Sequence, residues 1–200
     1  MRTNLSEFAF FGGTFDPVHL GHLHLLYQAS LLTPFKKVII SPVSINNFKS
    51  DKSKPASGQD RINMLSLALE DYKELYPDSH LQFFINDSDI KKGGVSYAYN
   101  TILDVKEKYK IDKKLGYFVG DDILPTLNKW YRIDDLLKEV EFFVFTRDFE
   151  TLPKDVELPI HLINSGVFEQ SSTDVRNDKS LNGLSVRVKR YVQNHKLYEA

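Results

Sequence analysis

The stretch Gly12-Gly13-Thr14-Phe15-Asp16-Pro17-Val18-His19-Leu20-Gly21-His22 gathers residue types that handle phosphate. Glycines directly after an apolar run let the backbone approach a ligand closely, and Asp16-Pro17 reads as a tight turn. The next residues open a helix, whose N-terminal N–H groups favour an anion. His19 and His22 stand three apart, so their side chains share one face of the first helical turns. Both imidazoles could donate to phosphate oxygens, and a bound phosphate would raise their pKa through its opposite charge. The same pair also reads as surface polarity or as metal ligands. Without cysteine, a zinc site would need His24, which faces elsewhere on a helix, or a distant carboxylate as third ligand.

Three further groups point the same way. In Ser171-Ser172-Thr173-Asp174-Val175-Arg176, hydroxyls and N–H groups at a helix start could form an anion nest. Arg176 falls within reach of that anion, and a guanidinium binds phosphate with two parallel hydrogen bonds. Read as structure alone, the segment is a Ser-x-x-Asp capping box with a surface arginine. The polar loop Ser41 to Ser57, broken by Pro42 and Pro55, carries Lys49, Lys52 and Lys54. Its length suits a functional loop, and a lysine there could cover a phosphate site, although a solvated loop needs no such role. Gly120-Asp121-Asp122 closes another apolar run, with Trp130-Tyr131 downstream. Such carboxylates could take ribose hydroxyls or orient Mg²⁺, and an aromatic ring could stack a flat heterocycle or simply pack in the core.

Alternating elements must position these groups. Strands are expected at Phe8–Phe11, Val38–Ile40, Leu81–Ile85, Leu115–Val119, Glu141–Thr146 and Ile160–Ile163. Helical periodicity marks His19–Leu32 (Leu20, Leu23, Tyr27 and Leu31 on the stripe), Gln59–Glu74, Tyr97–Lys108, Ile133–Val140 and Ser185–Gln193. Ser96 is placed to cap the Tyr97 helix, and Lys91–Gly94 reads as a turn. The pattern predicts one α/β domain over residues 1–200, Rossmann-like and doubly wound. Its sheet is mostly parallel with helices on both faces, and a helical part covers about 171–200. Ligands of such sheets sit beyond the carboxyl ends of the strands, near a switch point. The groups at Gly12, Ser41 and Gly120 all begin there.

Composition excludes other classes. The 200 residues carry 26 Lys+Arg against 27 Asp+Glu, a net charge of −1 that does not suit a protein coating nucleic acid. Only Arg187-Val188-Lys189-Arg190 is locally basic, and it reads as the wet face of a helix. With no cysteine there is no disulfide, iron–sulfur cluster or thiol nucleophile. No apolar run reaches membrane length, and residues 1–7 show no signal-peptide core, so a cytoplasmic protein is expected. Neither a P-loop nor a Gly-x-Gly-x-x-Gly fingerprint occurs.

Taken together, these segments resemble the nucleotidyltransferases with a His-x-Gly-His motif, and among them the bacterial nicotinate-nucleotide adenylyltransferases. Gly12 to His22 is similar to that family's Gly-Gly-Thr-Phe-Asp-Pro-x-His-x-Gly-His. Ser171 to Arg176 resembles its Ser-Ser-Thr-x-Ile-Arg, with Val175 for Ile. Gly120-Asp121-Asp122 resembles its Gly-Ala-Asp, and Leu127 to Tyr131 its Leu-Pro-x-Trp-Tyr. Ser96-Tyr97 and Arg61 also match. Two departures concern the acceptor side: Asn46-Asn47-Phe48-Lys49 replaces Pro-Pro-His-Lys, and Ala98 replaces Thr.

The resemblance implies transfer of an adenylyl group from ATP to nicotinate mononucleotide. It implies His19, His22 and Arg176 as catalytic residues. Gly12, Gly13, Thr14, Phe15, Lys49, Gly120, Asp122, Ser171, Ser172 and Thr173 would bind ATP. Ser96, Tyr97, Trp130 and Tyr131 would bind the acceptor, with Trp130 stacking the pyridine ring. Mg²⁺ would be carried by ATP phosphates and water, with no metal ligand from the protein. Neither nucleic acid nor membrane is an expected partner, and a homo-oligomer is left open. Pantetheine-phosphate adenylyltransferases share the first and last motifs but lack the Asp–Trp segment. Nicotinamide mononucleotide as acceptor, and a non-catalytic nucleotide-binding module, stay open as alternatives.

Overall fold

The structure is a computed structural model that describes residues 4–45, 55–146, 158–166, 172–177 and 181–198, the Asp174 and Asn177 side chains excepted. Lys49, Lys52, Lys54 and Ser171 lie outside the described residues. Six strands form one parallel sheet: β1 Leu5–Gly13, β2 Lys37–Pro42, β3 Gln82–Ile85, β4 Lys114–Gly120, β5 Val140–Thr146 and β6 Ile160–Asn164. Their order is β3-β2-β1-β4-β5-β6, the doubly wound arrangement with its switch point between β1 and β4. β1 pairs in register with β2 (Gly13 opposite Pro42) and with β4 (Phe11 opposite Phe118). The carboxyl ends of β1, β2 and β4 therefore lie side by side.

Helices α1 Leu20–Leu32, α2 Gly58–Leu75 and α8 Val186–Asn194 cover one face of the sheet. Helices α4 Ala98–Tyr109, α5 Leu124–Leu127 and α6 Ile133–Glu139 cover the other. Alternation along β1 serves both: Ala9 and Phe11 pack with α1 and α2, while Phe10 packs toward α4 and α5. Further short helices are α3 Ser88–Lys92, α7 Ser172–Asn177 and a 3-10 turn at Asp121–Ile123. Among the described residues no helix is long and apolar enough to cross a membrane.

All six expected strands are present: β1 is five residues longer than expected, β2 three, β4 two, β5 and β6 one, and β3 starts one residue later at Gln82. Ser41 and Pro42, read as loop, extend β2, because Pro42 closes a strand where its missing N–H costs no ladder bond. Of the turn read at Lys91–Gly94, Lys91 and Lys92 instead finish helix α3, while Gly93 (φ 68°) and Gly94 (φ 71°) make the bend that ends it. Leu31 does not join the buried stripe of α1: it is 56% exposed, while Leu23, Leu26, Ala29 and Ser30 are buried. That helix is apolar on nearly all sides, so periodicity alone could not choose its inner face.

The Arg187–Arg190 run is not simply a wet face. Arg187 pairs with Asp71 and Glu74 of α2, and Val188 is fully buried. Tyr191, one turn on, donates to Asp60 at 2.9 Å. These bonds fix α8 along α2 and bring the turn after α8 back to the switch point.

Candidate active site

The loop after β1 is built on close backbone contact. A Cβ at Gly12 would lie 2.8 Å from Phe10 Cε1 and 3.0 Å from the Tyr117 hydroxyl, so only glycine fits without a shift. Phe15 sits at φ 50°, a left-handed conformation uncommon for a large side chain. It is held there by burial of its ring against Phe11 and His22, at 5.3 and 5.0 Å between centroids.

His19 is the N-cap of α1 rather than its first residue. Its ring lies 3.7 Å from that of His22, so the structure does bring the two imidazoles together. The His19 N–H donates to His22 Nδ1 at 3.1 Å. An imidazole accepting at Nδ1 carries its proton on Nε2, which makes His22 a hydrogen-bond donor at its outer nitrogen while neutral. The expectation that the first N–H groups of α1 await an anion needs correcting. Leu20 N–H donates to the Gly183 carbonyl at 2.8 Å and His22 N–H to His19 O at 2.9 Å. Two of the first N–H groups of α1 are thus already engaged within the protein.

Arg176, on α7, reaches the same turn. It donates to the Asp16 carbonyl and, at 3.2 Å, to Thr173 Oγ1. Ser172 Oγ donates to the Pro17 carbonyl at 3.2 Å, so α7 is docked on the Asp16–Pro17 turn. The expected capping box falls on Ser171 and the Asp174 side chain, which lie outside the described residues.

Arg61 has a larger part than its sequence position suggested. It is buried, with 5% exposure, and donates to Thr14 O (2.8 Å), Val43 O (2.6 Å) and Ser44 O (3.3 Å). Burial lowers its pKa below the ordinary guanidinium value, an effect the nearby Asp16 charge opposes. A lone arginine amid the apolar stripe Met64, Leu65, Ala68 and Tyr72 of α2 is the signal that could have marked it as a buried tie.

At the start of α4 one expectation fails. Ser96 does not cap α4, whose N-cap is Tyr97 with no side-chain bond. Its Oγ instead accepts from Ser44 N–H at 2.9 Å, and its own N–H donates to Ile45 O at 3.3 Å. Ser96 thus anchors the loop after β2, which Arg61 grips from the other side. The Tyr97 and Tyr131 rings, both exposed, face each other at 4.8 Å. Trp130 is half-buried and packs edge-on against Tyr117 and Phe142, at 5.8 and 6.0 Å. Its indole Nε1 is buried and finds no acceptor among the described residues. Ser96 and Tyr97 line a shallow hollow together with Asp89, Lys92 and Asn100. Buried Asp89 accepts from Thr101 Oγ1 through both oxygens, at 3.1 and 2.9 Å, a contact that nothing in the sequence flagged.

At the end of β4, Thr146 Oγ1 donates to Asp121 at 2.9 Å, tying β4 to β5. Asp122 is exposed and folds back over Gly120, where a Cβ would lie 2.8 Å from its Oδ1. The two adjacent aspartates therefore divide: one is a strut and the other faces solvent. Among the described residues no three His, Asp or Glu side chains cluster to hold a metal ion.

A sequence profile of the family described as cytidylyltransferase-like matches residues 10–178. Relatives named "Probable nicotinate-nucleotide adenylyltransferase" align over nearly the whole chain. One from Hydrogenobaculum sp. is 36% identical over 180 residues, 90% of this chain and 88% of its own. Another from Listeria innocua is 35% identical over 190 residues, 94% of each chain. This chain belongs to the cytidylyltransferase-like family, as a member of its nicotinate-nucleotide adenylyltransferase branch.

Among solved structures, the Plasmodium falciparum nicotinic acid mononucleotide adenylyltransferase complexed with NaAD superposes with a TM-score of 0.73 at 18% identity, covering 96% of both chains. The same Plasmodium protein complexed with APC gives 0.71 at 17%. At such identities the likeness concerns the fold alone.

Arg61 is expected to act through the shape of the adenylyltransferase site. Arg61→Ala leaves three carbonyls without their charged donor, and its unfolding free energy should fall by about 3 kcal/mol. Urea denaturation checks this: an unchanged midpoint would mean that the guanidinium does not tie the loops.

Proposed function

We propose that this chain transfers the adenylyl group of ATP to nicotinate mononucleotide, releasing pyrophosphate and forming nicotinate adenine dinucleotide in NAD biosynthesis. The observation that carries this reading is the chain-long likeness to nicotinate-nucleotide adenylyltransferases, 36% identity over 180 residues, in a chain whose His19, His22 and Arg176 meet at one turn. A cytoplasmic location belongs to the same reading.

The chemistry suits such a site. A phosphate oxygen of the acceptor attacks the α-phosphorus of ATP in line, the bond from that phosphorus to the β-bridging oxygen breaks, and pyrophosphate leaves. A phosphate monoester is already anionic near neutral pH, with a second pKa near ~6, and needs no strong base. The protein must position the reactants and neutralise charge. In this reading His22 donates through Nε2 to the α-phosphate as charge develops. His19, Arg176 and Lys49 hold the other phosphates, together with Ser171, Ser172, Thr173 and the Gly12–Phe15 backbone. Gly120 and Asp122 take the adenylate ribose. Ser96, Tyr97, Trp130 and Tyr131 hold the acceptor, the exposed tyrosine pair offering ring surface beside the more enclosed Trp130.

Mg²⁺ prefers oxygen ligands, whereas His19 and His22 offer nitrogen. The Asp16 carboxylate is engaged at Oδ1 by Ala56 N–H and the Tyr198 hydroxyl. The reading has the ion travel on the ATP phosphates and water, where it would offset their charge.

Pyrophosphate release from ATP·Mg²⁺ against a panel of acceptor phosphates tests the function. Nicotinate mononucleotide should exceed nicotinamide mononucleotide in kcat/KM by at least ~10-fold, the scale of one charge-assisted hydrogen bond. Equal values would refute the acid as the preferred acceptor. His22→Ala should lower kcat by ~10²–10³ with a smaller change in ATP affinity, as for loss of one donor to developing charge. An unchanged kcat in single-turnover assays would remove His22 from the reaction.

A further inference from the structure

Tyr117, in the middle of β4, stands opposite Phe10 of β1 and Phe142 of β5. Its side chain lies on the sheet face covered by α4, α5 and α6, and the residue is 4% exposed. Phe10 and Gly12 alternate onto that same face of β1. The Phe10 ring meets the Tyr117 ring edge-on at 4.9 Å, and Gly12, with no side chain, leaves room beyond it. The Tyr117 hydroxyl reaches that room, since a Cβ on Gly12 would lie 3.0 Å from it. A core ring thus carries its one polar atom to the carboxyl end of β1, at the switch point. The same ring also meets Trp130, at 5.8 Å between centroids.

That hydroxyl has no hydrogen-bond partner among the described residues. Other tyrosines of this chain do: Tyr72 meets Ser79 Oγ at 2.6 Å, Tyr191 donates to Asp60 at 2.9 Å, and Tyr198 donates to Asp16. A buried hydroxyl left unbonded costs stability, and phenylalanine would fill the same space without that cost. Such a group calls for a bound water or ligand to complete it. Burial, with the Asp89 charge adding to it, pushes the Tyr117 phenol well above its ordinary pKa. The hydroxyl therefore keeps its proton and can both donate and accept.

We propose that Tyr117 is a further acceptor-binding residue, its hydroxyl bonding a ribose hydroxyl of the mononucleotide. The inference rests on the adenylyl-transfer reading, in which the pyridine ring lies at Trp130 and the phosphates at the Gly12–His22 loop. A mononucleotide joins its ring to its phosphate through the ribose, so the sugar crosses the ground between the two. Tyr117 meets both ends of that span, Trp130 with its ring and Gly12 with its hydroxyl. A neutral hydroxyl suits a sugar, whose hydroxyls donate and accept, better than a phosphate, which cations hold more strongly.

A cycle of protein and substrate deletions tests this. Wild type and Tyr117→Phe are each assayed by pyrophosphate release with nicotinate mononucleotide and with its 2′-deoxy and 3′-deoxy analogues, and each is melted by scanning calorimetry. Tyr117→Phe should lower kcat/KM for nicotinate mononucleotide about 5- to 10-fold, the scale of one uncharged hydrogen bond, with the KM for ATP within about twofold. One deoxy analogue should show a similar loss with wild type and no further loss with the variant, since both deletions remove the same bond. The variant should melt at or above the wild-type temperature, because no protein group loses a partner. An unchanged kcat/KM, the result for a hydroxyl that holds only water, would overturn the proposal. So would equal rises in both KM values, losses that multiply with both analogues, or a lower melting temperature, the mark of a structural bond. Should Tyr117→Phe not fold, the hydroxyl is structural and the proposal falls. Wild type indifferent to both deoxy analogues would overturn it without any variant. Wild-type protein inactive with every acceptor phosphate would instead refute the transfer reading, and this proposal with it.

Discussion

Arg61 sets the spacing between the loops that follow β1 and β2. Its guanidinium bonds Thr14 O in the first loop and Val43 O and Ser44 O in the second, and Ser44 N–H in turn donates to Ser96. A continuous run of bonds thus leads from the phosphate loop through α2 to the start of α4, where Tyr97 faces Tyr131. A parallel sheet brings the strand ends together but leaves their loops unpaired. The buried cation supplies what the sheet does not, by giving several carbonyls a donor that water cannot reach. In the proposed reading, that constraint would fix the distance between an ATP held at Gly12–His22 and an acceptor held near Ser96.

Asp16 is the counterpart of this arrangement. A site for polyphosphate needs cations, and cations buried without partners destabilise the fold. The buried Asp16 carboxylate lies close enough to Arg61 to oppose the cost of burying that cation, and it is itself satisfied by Ala56 N–H and the Tyr198 hydroxyl. His22, bonded at Nδ1 by the backbone, adds a neutral donor whose direction is set in advance. Donors fixed before the reaction cost no reorganisation as charge moves, which is the condition for electrostatic catalysis. The proposed chemistry therefore asks for no nucleophile, and the turn at Asp16 is built around charge balance.

Much of this was legible in the residues. Alternation of Ala9, Phe10 and Phe11 foretold a sheet covered on both faces, and the spacing of His19 and His22 foretold their proximity. What stayed hidden were bonds between segments distant in sequence. Ser96 looked like a helix cap because local pattern favours that role, yet its partner is Ser44, 52 residues away. The N–H of Leu20 looked available to an anion, yet it meets Gly183. Arg187 looked solvated until α8 was laid on α2, where Asp71 and Glu74 meet it. Tyr198 carried no local signal at all, since a tyrosine after a helix is ordinary until the turn returns it to Asp16. Periodicity reports which face is buried; it does not report which polar group on that face answers another.

The central claim is that the site transfers the adenylyl group directly, through positioning and fixed charge, without a covalent enzyme intermediate. The stereochemical course at the α-phosphorus tests it most directly. ATP carrying sulfur at one α-oxygen in a single configuration would be turned over with nicotinate mononucleotide, and the dinucleotide product assigned by ³¹P NMR. One in-line displacement inverts the phosphorus, so the account predicts inversion. Retention would require two displacements and an adenylylated side chain, and would contradict it.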